Sequence, residues 1–372
     1  MKQLTVKYTA PFMDYSGYGE CSRHHIGAFT EAEVKVIGDL ISYQSETSDY
    51  GKLGALAHSV KDNKGSYKIQ LLHTTPDEFP RLVEPGKYHV GFCYWETDKI
   101  PQAFAEGLNA VDEIWTGSKA NLEAIRKAGV AKPVKIFPEP LETDRPTPPA
   151  YLIPDFSGYL FYSIFEWTDR KNPKALVQAF LQEFKGQKDV GLLLKTYFRN
   201  FSYTNKKMIR NEITALRDFT DIQGDPPIFL YLDLMDRQQV MRIHATGNCF
   251  VSAHRGEGWG LPQVEAALFG KPIISTGYGG ANEYFDNTSA RLLPYKMVQL
   301  RGMQHSTRFY SNDQNWADVD IEDIKKAMRD AYERRNNDNK AKNGQKLVKE
   351  RFNLKRVGLE MAERLKEIEN KI

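Results

Sequence analysis

Two glutamates eight positions apart, Glu257 and Glu265, are the residues of this 372-residue chain best placed to do chemistry. Glu257 lies in a run broken by Gly256, Gly258 and Gly260, between a strand-like stretch at 248–252 and a helical stretch at 262–269. The first carboxylate should therefore fall on a strand-to-helix turn and the second on the helix behind it. Glycines strip side chains from such a loop and let backbone N–H groups at a helix N-terminus approach an anionic or polyhydroxylated ligand. A carboxylate accepts hydrogen bonds from two hydroxyls at once, which suits sugar and ribose diols better than bare phosphate. Solvated glutamates on an ordinary turn can share this spacing, so the pair alone does not decide the matter.

The elements that must position these residues read as alternating strands and helices. In the first half, strands are expected at 4–8, 34–37, 67–72, 89–94, 113–116 and 134–137, with helices near 20–29, 102–108 and 121–128. The second half repeats the theme, with strands at 159–164, 190–195, 228–232, 249–252 and 272–276 and helices between them. This is the pattern of α/β units with parallel sheets, whose ligands sit beyond the carboxyl ends of the strands. Between them, LETDRPTPPAYLIP at 141–154 concentrates proline and polar residues, which suppresses helix and sheet pairing. A boundary near Pro148 follows, giving domains at 1–148 and 149–352 and a separate C-terminal helix at 353–372. That helix is expected from Asn353 as N-cap and the apolar positions Leu354, Val357, Met361, Leu365 and Ile368. Ile321, Ile324, Met328 and Ala331 outline another amphipathic helix, and 334–346 reads as a polar, solvated connection.

The longer run SAHRGEGWGLPQVEAALFGKPIISTGYGGANEYF, residues 252–285, resembles the donor-site signature of the retaining glycosyltransferases of GT-B architecture, in particular family 4, with its Glu-x7-Glu inside EGxGLPxxEA. A second stretch, Tyr94-Trp95-Glu96-Thr97-Asp98 followed by Asp112 to Ser118, is similar to the N-terminal half of a subset of that family. The resemblance implies two Rossmann-like domains facing a cleft, an acceptor-side domain first and a nucleotide-sugar domain second, with the C-terminal helix crossing back to the first. It implies transfer of a hexosyl unit, with retention, from a UDP- or GDP-sugar, without a prosthetic group and without a metal.

Carried over residue by residue, the resemblance gives Glu265 the ribose hydroxyls and Glu257 the donor sugar's hydroxyls. Lys171 matches the family's phosphate-binding lysine, with Arg170 beside it, and the two would stabilise the departing diphosphate. The arginine that the family often places several residues earlier is missing, since Phe165 and Glu166 occupy that region; Arg170 or Lys195 is the candidate substitute. His254, Gly258, Trp259, Gly260 and Leu261 line the donor turn. Near the first strand, Gly17 and Gly19 open a helix whose amides would face the diphosphate, although the loop is not GxGxxG. Glu96 and Asp98 could orient or deprotonate an acceptor hydroxyl, or cap the helix that follows. Asp318-Val319-Asp320 superficially matches a metal-binding DxD but precedes an amphipathic helix and reads as its cap.

Composition narrows the alternatives. A net charge of +3 gives no field that implies nucleic acid or a membrane surface. Three scattered cysteines, Cys21, Cys93 and Cys249, suit reduced thiols without zinc spacing. The N-terminus lacks a signal-peptide core and no stretch is long and apolar enough to span a bilayer, so a soluble, cytoplasmic protein is expected. The expected partners are a nucleotide sugar and, as acceptor, a saccharide or other cell-surface glycan precursor. Two other readings stay open: glycosylation of a nucleic-acid base, disfavoured by the lack of a concentrated Arg/Lys motif, and a non-catalytic sugar-nucleotide sensor. The sequence leaves the oligomeric state open.

Overall fold

A computed structural model describes residues 3–42, 51–220, 226–301 and 308–372. The chain divides into two compact units: Met1–Arg145 with Arg308–Gln314 and Lys349–Ile372, and Pro146–Thr307 with Asn315–Val348. Among the described residues no helix is long and apolar enough to cross a membrane.

The first unit is built on six strands, β1 (Thr5–Ala10), β2 (Lys35–Leu40), β3 (Ile69–His73), β4 (Tyr88–Phe92), β5 (Glu113–Thr116) and β6 (Val134–Ile136). They pair in parallel in the order β2-β1-β3-β4-β5-β6. Every residue of β3 and of β5 is buried, as expected when helices cover both faces of a parallel sheet and strands become near-continuous apolar runs. The helices are α1 (Gly17–Glu31), α2 (Gly51–Val60), α3 (Phe79–Leu82), α4 (Gln102–Leu108) and α5 (Lys119–Lys127). Ser16 caps α1 by accepting from the Gly19 N–H at 3.1 Å, and Ser118 caps α5 through Asn121. The inserted segment Arg308–Gln314 belongs to this unit. Tyr310 stacks on Trp95 with ring centres 4.9 Å apart, Phe309 meets Phe104 at 5.0 Å, and Arg308 pairs with Asp77 at 2.6 Å.

The second unit repeats the plan with β7 (Tyr159–Glu166), β8 (Val190–Tyr197), β9 (Ile228–Tyr231), β10 (Cys249–Ser252), β11 (Ile273–Thr276) and β12 (Arg291–Leu293), all parallel, in the order β12-β11-β10-β7-β8-β9. A two-stranded antiparallel ribbon, β13 (Lys296–Gln299) and β14 (Asn315–Asp318), stands beside it as a separate sheet. The helices are α6 (Pro173–Glu183), α7 (Tyr203–Thr220), α8 (Arg237–Thr246), α9 (Leu261–Leu268), α10 (Ile321–Glu333) and α11 (Asn339–Arg351). Asp236 and Gln239 form a reciprocal capping box at α8, and Asp320 caps α10 by accepting from Glu322 N–H at 2.9 Å as expected, whereas Asp318 of the same acidic pair accepts from Arg255. The polar connection expected at 334–346 is corrected, because α11 occupies most of it. Its buried positions are Ala341, Gly344 and Val348, and a Cβ on Gly344 would stand 2.9 Å from the Ser289 carbonyl oxygen. A helix docked through small residues leaves no apolar stripe to read.

The last helix, α12 (Leu354–Glu369), returns to the first unit, capped by Asn353, which accepts from Arg356 N–H at 2.9 Å. Val357, Met361, Ala362, Leu365 and Ile368 join the core that also holds Tyr8, Ile26 and Phe29. Arg364 clamps the buried Glu113 of β5 with two hydrogen bonds, at 3.0 and 2.5 Å, and Trp115 Nε1 donates to the same carboxylate at 2.8 Å. The crossing of α12 over α1 needs Gly358, where any Cβ would overlap the Ala28 carbonyl. Backbone cannot step aside as a side chain can, so Gly358→Val should lower the unfolding free energy by about 2 kcal/mol in urea denaturation; an unchanged midpoint would contradict this packing.

Candidate functional site

In the second sheet the strand order reverses between β7 and β10, and crevices at the carboxyl ends of such strands are where open α/β folds bind ligands. After β7 the chain makes a 3-10 turn, Asp169–Lys171, and passes through Asn172, whose φ of 53° is left-handed, before Pro173 starts α6. After β10 it runs through 253–260 and enters α9 at Gly260, with φ of 93° and Pro262 just inside the helix. Only glycine adopts that conformation without strain. The two turns are laced together. Arg255 N–H donates to the Arg170 carbonyl at 2.7 Å, Arg170 Nη1 donates to the Gly256 carbonyl at 2.9 Å, and Lys171 Nζ pairs with Glu257. A third loop, after β11, closes the wall: Ala281 N–H donates to the Trp259 carbonyl at 2.6 Å, and Gly280, at φ 56°, has no room for a Cβ against that carbonyl.

The electrostatics follow from this lacing. Burial alone would raise the Glu257 carboxyl, but Lys171, Arg170 and His254 outweigh it and hold it at about 2. Glu257 is therefore a fixed anion beside two fixed cations. His254 is fully buried, with Nδ1 3.0 Å from Ser252 Oγ and Nε2 3.2 Å from the Tyr278 carbonyl. The carbonyl can only accept, so Nε2 carries the proton. Burial lowers the ring's pKa to about 4, which makes it a neutral brace for the turn. Lys195, near the end of β8, is 6 % exposed, and burial lowers its ammonium to about 8. Its Nζ lies 5.5 Å from the Tyr197 ring centre and 5.3 Å from that of Phe201.

Glu265, in α9, is 2 % exposed and paired with Arg237, while His244 Nε2 lies 3.2 Å away. Burial pushes its carboxyl up, and Arg237 and His244 bring it down to about 2. Sequence reasoning did not find Arg237, His244 or Arg255. Arg255 ties the turn to the ribbon through Asp318 at 2.8 Å and donates to the Asp169 carbonyl at 3.1 Å. Gly258, Trp259 and Gly260 are buried in the turn, and Leu261 is partly buried.

The remaining candidates belong to the first unit. The Gly19 amide is engaged by Ser16, and a Cβ on Gly19 would overlap the Asp14 carbonyl, so this glycine serves close packing at the helix start. Gly17 has open space around it. Asp98 accepts from Lys127 at 3.0 Å, whereas α4 begins behind Pro101 with no side-chain cap, so Asp98 does not cap that helix. Glu96 accepts from the Tyr310 hydroxyl at 3.2 Å. His25, His73 and Glu139 are buried and bring one candidate ligand atom each within 4.8 Å, a set that could hold a cation. The Tyr8 hydroxyl, however, lies 2.6 Å from His73 Nδ1 and 3.3 Å from His25 Nδ1, so those nitrogens already sit in a hydrogen-bonded network.

No family model matches the chain, and no curated protein matches it either. Solved structures do. A sucrose-phosphate synthase from Thermosynechococcus elongatus superposes with a TM-score of 0.70 at 14 % identity, covering 99 % of this chain and 100 % of its own. A glycosyltransferase from Rickettsia africae gives 0.65 at 14 % identity with 99 % of each chain covered. HepE of Anabaena, crystallised with UDP and glucose, gives 0.64 at 13 % identity over 98 % and 99 %. The chain has the GT-B fold. In this GT-B chain the reversal point of the second sheet carries Glu257 and Glu265, singled out by type and spacing, and Lys171, singled out by the resemblance.

The buried ring of His254 gives a prediction about pH. Its value in the fold, about 4, lies below the ordinary 6.5, so the unfolded chain binds this proton more strongly. The stability it contributes is complete above 6.5, falls with pH and is gone below about 4. His254→Gln should therefore reduce the loss of unfolding free energy between those limits by on the order of 3 kcal/mol or less, measured by urea unfolding across that range; an identical pH slope in both proteins would show the ring is not held neutral.

Proposed function

We propose that this protein transfers a glycosyl unit from a nucleotide-diphosphate sugar to an acceptor hydroxyl, with retention of anomeric configuration. The observation that carries this reading is the Lys171–Glu257 pair with Glu265 behind it, at the reversal point of a parallel sheet. Lys171 and Arg170 place two cations where a nucleoside diphosphate would depart, and preorganised charge of this kind stabilises a developing diphosphate anion. Glu257, an anion at neutral pH, would hold hydroxyls of the donor sugar and favour positive charge developing at the anomeric carbon. Glu265 would hold the ribose, Trp259 and the glycine turn would border the sugar, and Lys195 would add charge near the nucleotide. Orientation and fixed charge supply the acceleration, without a covalent intermediate on the enzyme.

The donor is a UDP- or GDP-sugar and the product a hexoside of a saccharide or glycan precursor, made in the cytoplasm without metal or prosthetic group. UDP is the first candidate to try, because HepE was crystallised with UDP and with UDP-glucose. Gly17 at the start of α1 would face the diphosphate, whereas the Gly19 amide donates to Ser16; Glu96 or Asp98 would orient the acceptor. For Asp98 this requires release from Lys127.

A ligand at 100 times its dissociation constant stabilises a fold by about 2.7 kcal/mol, so a thermal-shift panel of nucleotide sugars tests the reading directly; no stabilisation by any of them would refute it. Glu265→Ala should abolish or strongly weaken donor binding in calorimetry, and unchanged affinity would remove its assigned role. Lys171→Ala should slow turnover by roughly 10²-fold or more with the fold intact, and wild-type turnover would show that the diphosphate charge is met elsewhere.

A further inference from the structure

Behind Glu265 lies a line of three buried groups drawn from separate elements. Tyr162 of β7 is fully buried, and its hydroxyl lies 3.0 Å from Nδ1 of His244 in α8. His244 is also fully buried, and its Nε2 lies 3.2 Å from Glu265 Oε2. The approach of β7 to α8 is deliberate in the packing sense: at Gly247, just past α8, the Tyr162 ring occupies the space a Cβ would need. Arg237, the first residue of α8, pairs with the other oxygen, Oε1.

The direction of these hydrogen bonds is fixed by chemistry. Glu265 is ionised and can only accept, so a neutral His244 must carry its proton on Nε2. A lone pair there would face the carboxylate at 3.2 Å and repel it. Nδ1 is then an acceptor, and the Tyr162 phenol, which burial keeps protonated, donates to it. Burial likewise lowers His244, so the ring stays neutral. Tyr162 O–H to Nδ1, then Nε2–H to Oε2, forms a relay of donors in one sense, which favours one orientation and tautomer of the imidazole beside the carboxylate.

A carboxylate held at Oε1 by Arg237 and at Oε2 by His244 keeps one acceptor direction on each oxygen. Two acceptors side by side match two neighbouring hydroxyls. A ligand with only one hydroxyl there would leave the other buried acceptor unpaired, which costs roughly 1–3 kcal/mol, or about 5- to 150-fold in affinity.

We propose that the Tyr162–His244 relay is a positioning device that makes Glu265 read a ribose cis-diol, so that this chain accepts ribonucleotide donors and rejects their 2′-deoxy counterparts. The inference rests on the donor reading above and adds to it the positioning residues and the discrimination against the 2′-deoxy sugar.

The test is isothermal calorimetry with UDP, 2′-deoxy-UDP, GDP and 2′-deoxy-GDP on the full chain, comparing wild type with His244→Phe, His244→Gln and Tyr162→Phe. Wild type should favour the ribonucleotide by about 10-fold or more. His244→Phe should bring that ratio to within about threefold, while His244→Gln, which retains an N–H donor, should restore part of it. A purely structural defect would weaken both members of each pair alike and leave the ratio alone. If His244→Phe does not fold, Tyr162→Phe, which keeps the ring and removes only the hydroxyl, should lower the ratio by itself. Equal affinities in wild type, or a ratio unmoved by every folded variant, would overturn the inference while leaving the donor reading standing. Failure of wild type to bind either ribonucleotide would overturn both.

Discussion

An ionised carboxylate kept out of water must have its countercharge and hydrogen-bond donors in place, because leaving it unpaired costs several kcal/mol. Glu257 and Glu265 impose that condition on the whole second unit. Lys171 and Arg170 arrive from the turn after β7, whereas Glu257 comes from the turn after β10. These turns are neighbours only because the strand order reverses there. Arg237 and His244 meet Glu265 because α8 leads into β10 and α9 leaves it. Sheet order, helix placement and charge pairing are thus one constraint seen at three scales, and a slip in any of them would strand an acid in the interior.

The first unit answers the same problem for structural ends. Glu113 is fully buried in β5 and meets Arg364 from the far end of the sequence, with Trp115 as a further donor. Apolar burial of Val357, Met361 and Leu365 supplies most of the attraction between α12 and α1. The bidentate arginine adds direction, since an apolar face alone would allow the helix to slide. In both units a buried acid accepts from an arginine on another element, which sets a directional contact beside the apolar one.

Much of this was legible in the residues because parallel strands covered on both faces become apolar runs, as at β3, β8 and β11. Glu257 and Glu265 were legible because glycines and spacing mark the turn. Less could be read where contact depends on small size or distance along the chain. The face of α11 is Ala341, Gly344 and Val348, which carries no amphipathic stripe. His244 reads as an ordinary polar residue until Tyr162, 82 positions earlier, is brought beside it. Phe309 and Tyr310 look like stray aromatics until Phe104 and Trp95 are known to receive them.

The route of the backbone between the units, at 145/146, 307/308, 314/315 and 348/349, has a consequence for synthesis on the ribosome. Residues 1–145 are made before Arg308–Gln314 and α12, so Glu113 and the apolar face of α1 await partners translated after the six strands of the second sheet. The later-made Pro146–Val348 stretch holds all six strands of its sheet and can close before the earlier one does. Vectorial production therefore reverses the order of completion, leaving the nascent leading portion as the species most in need of chaperone shelter.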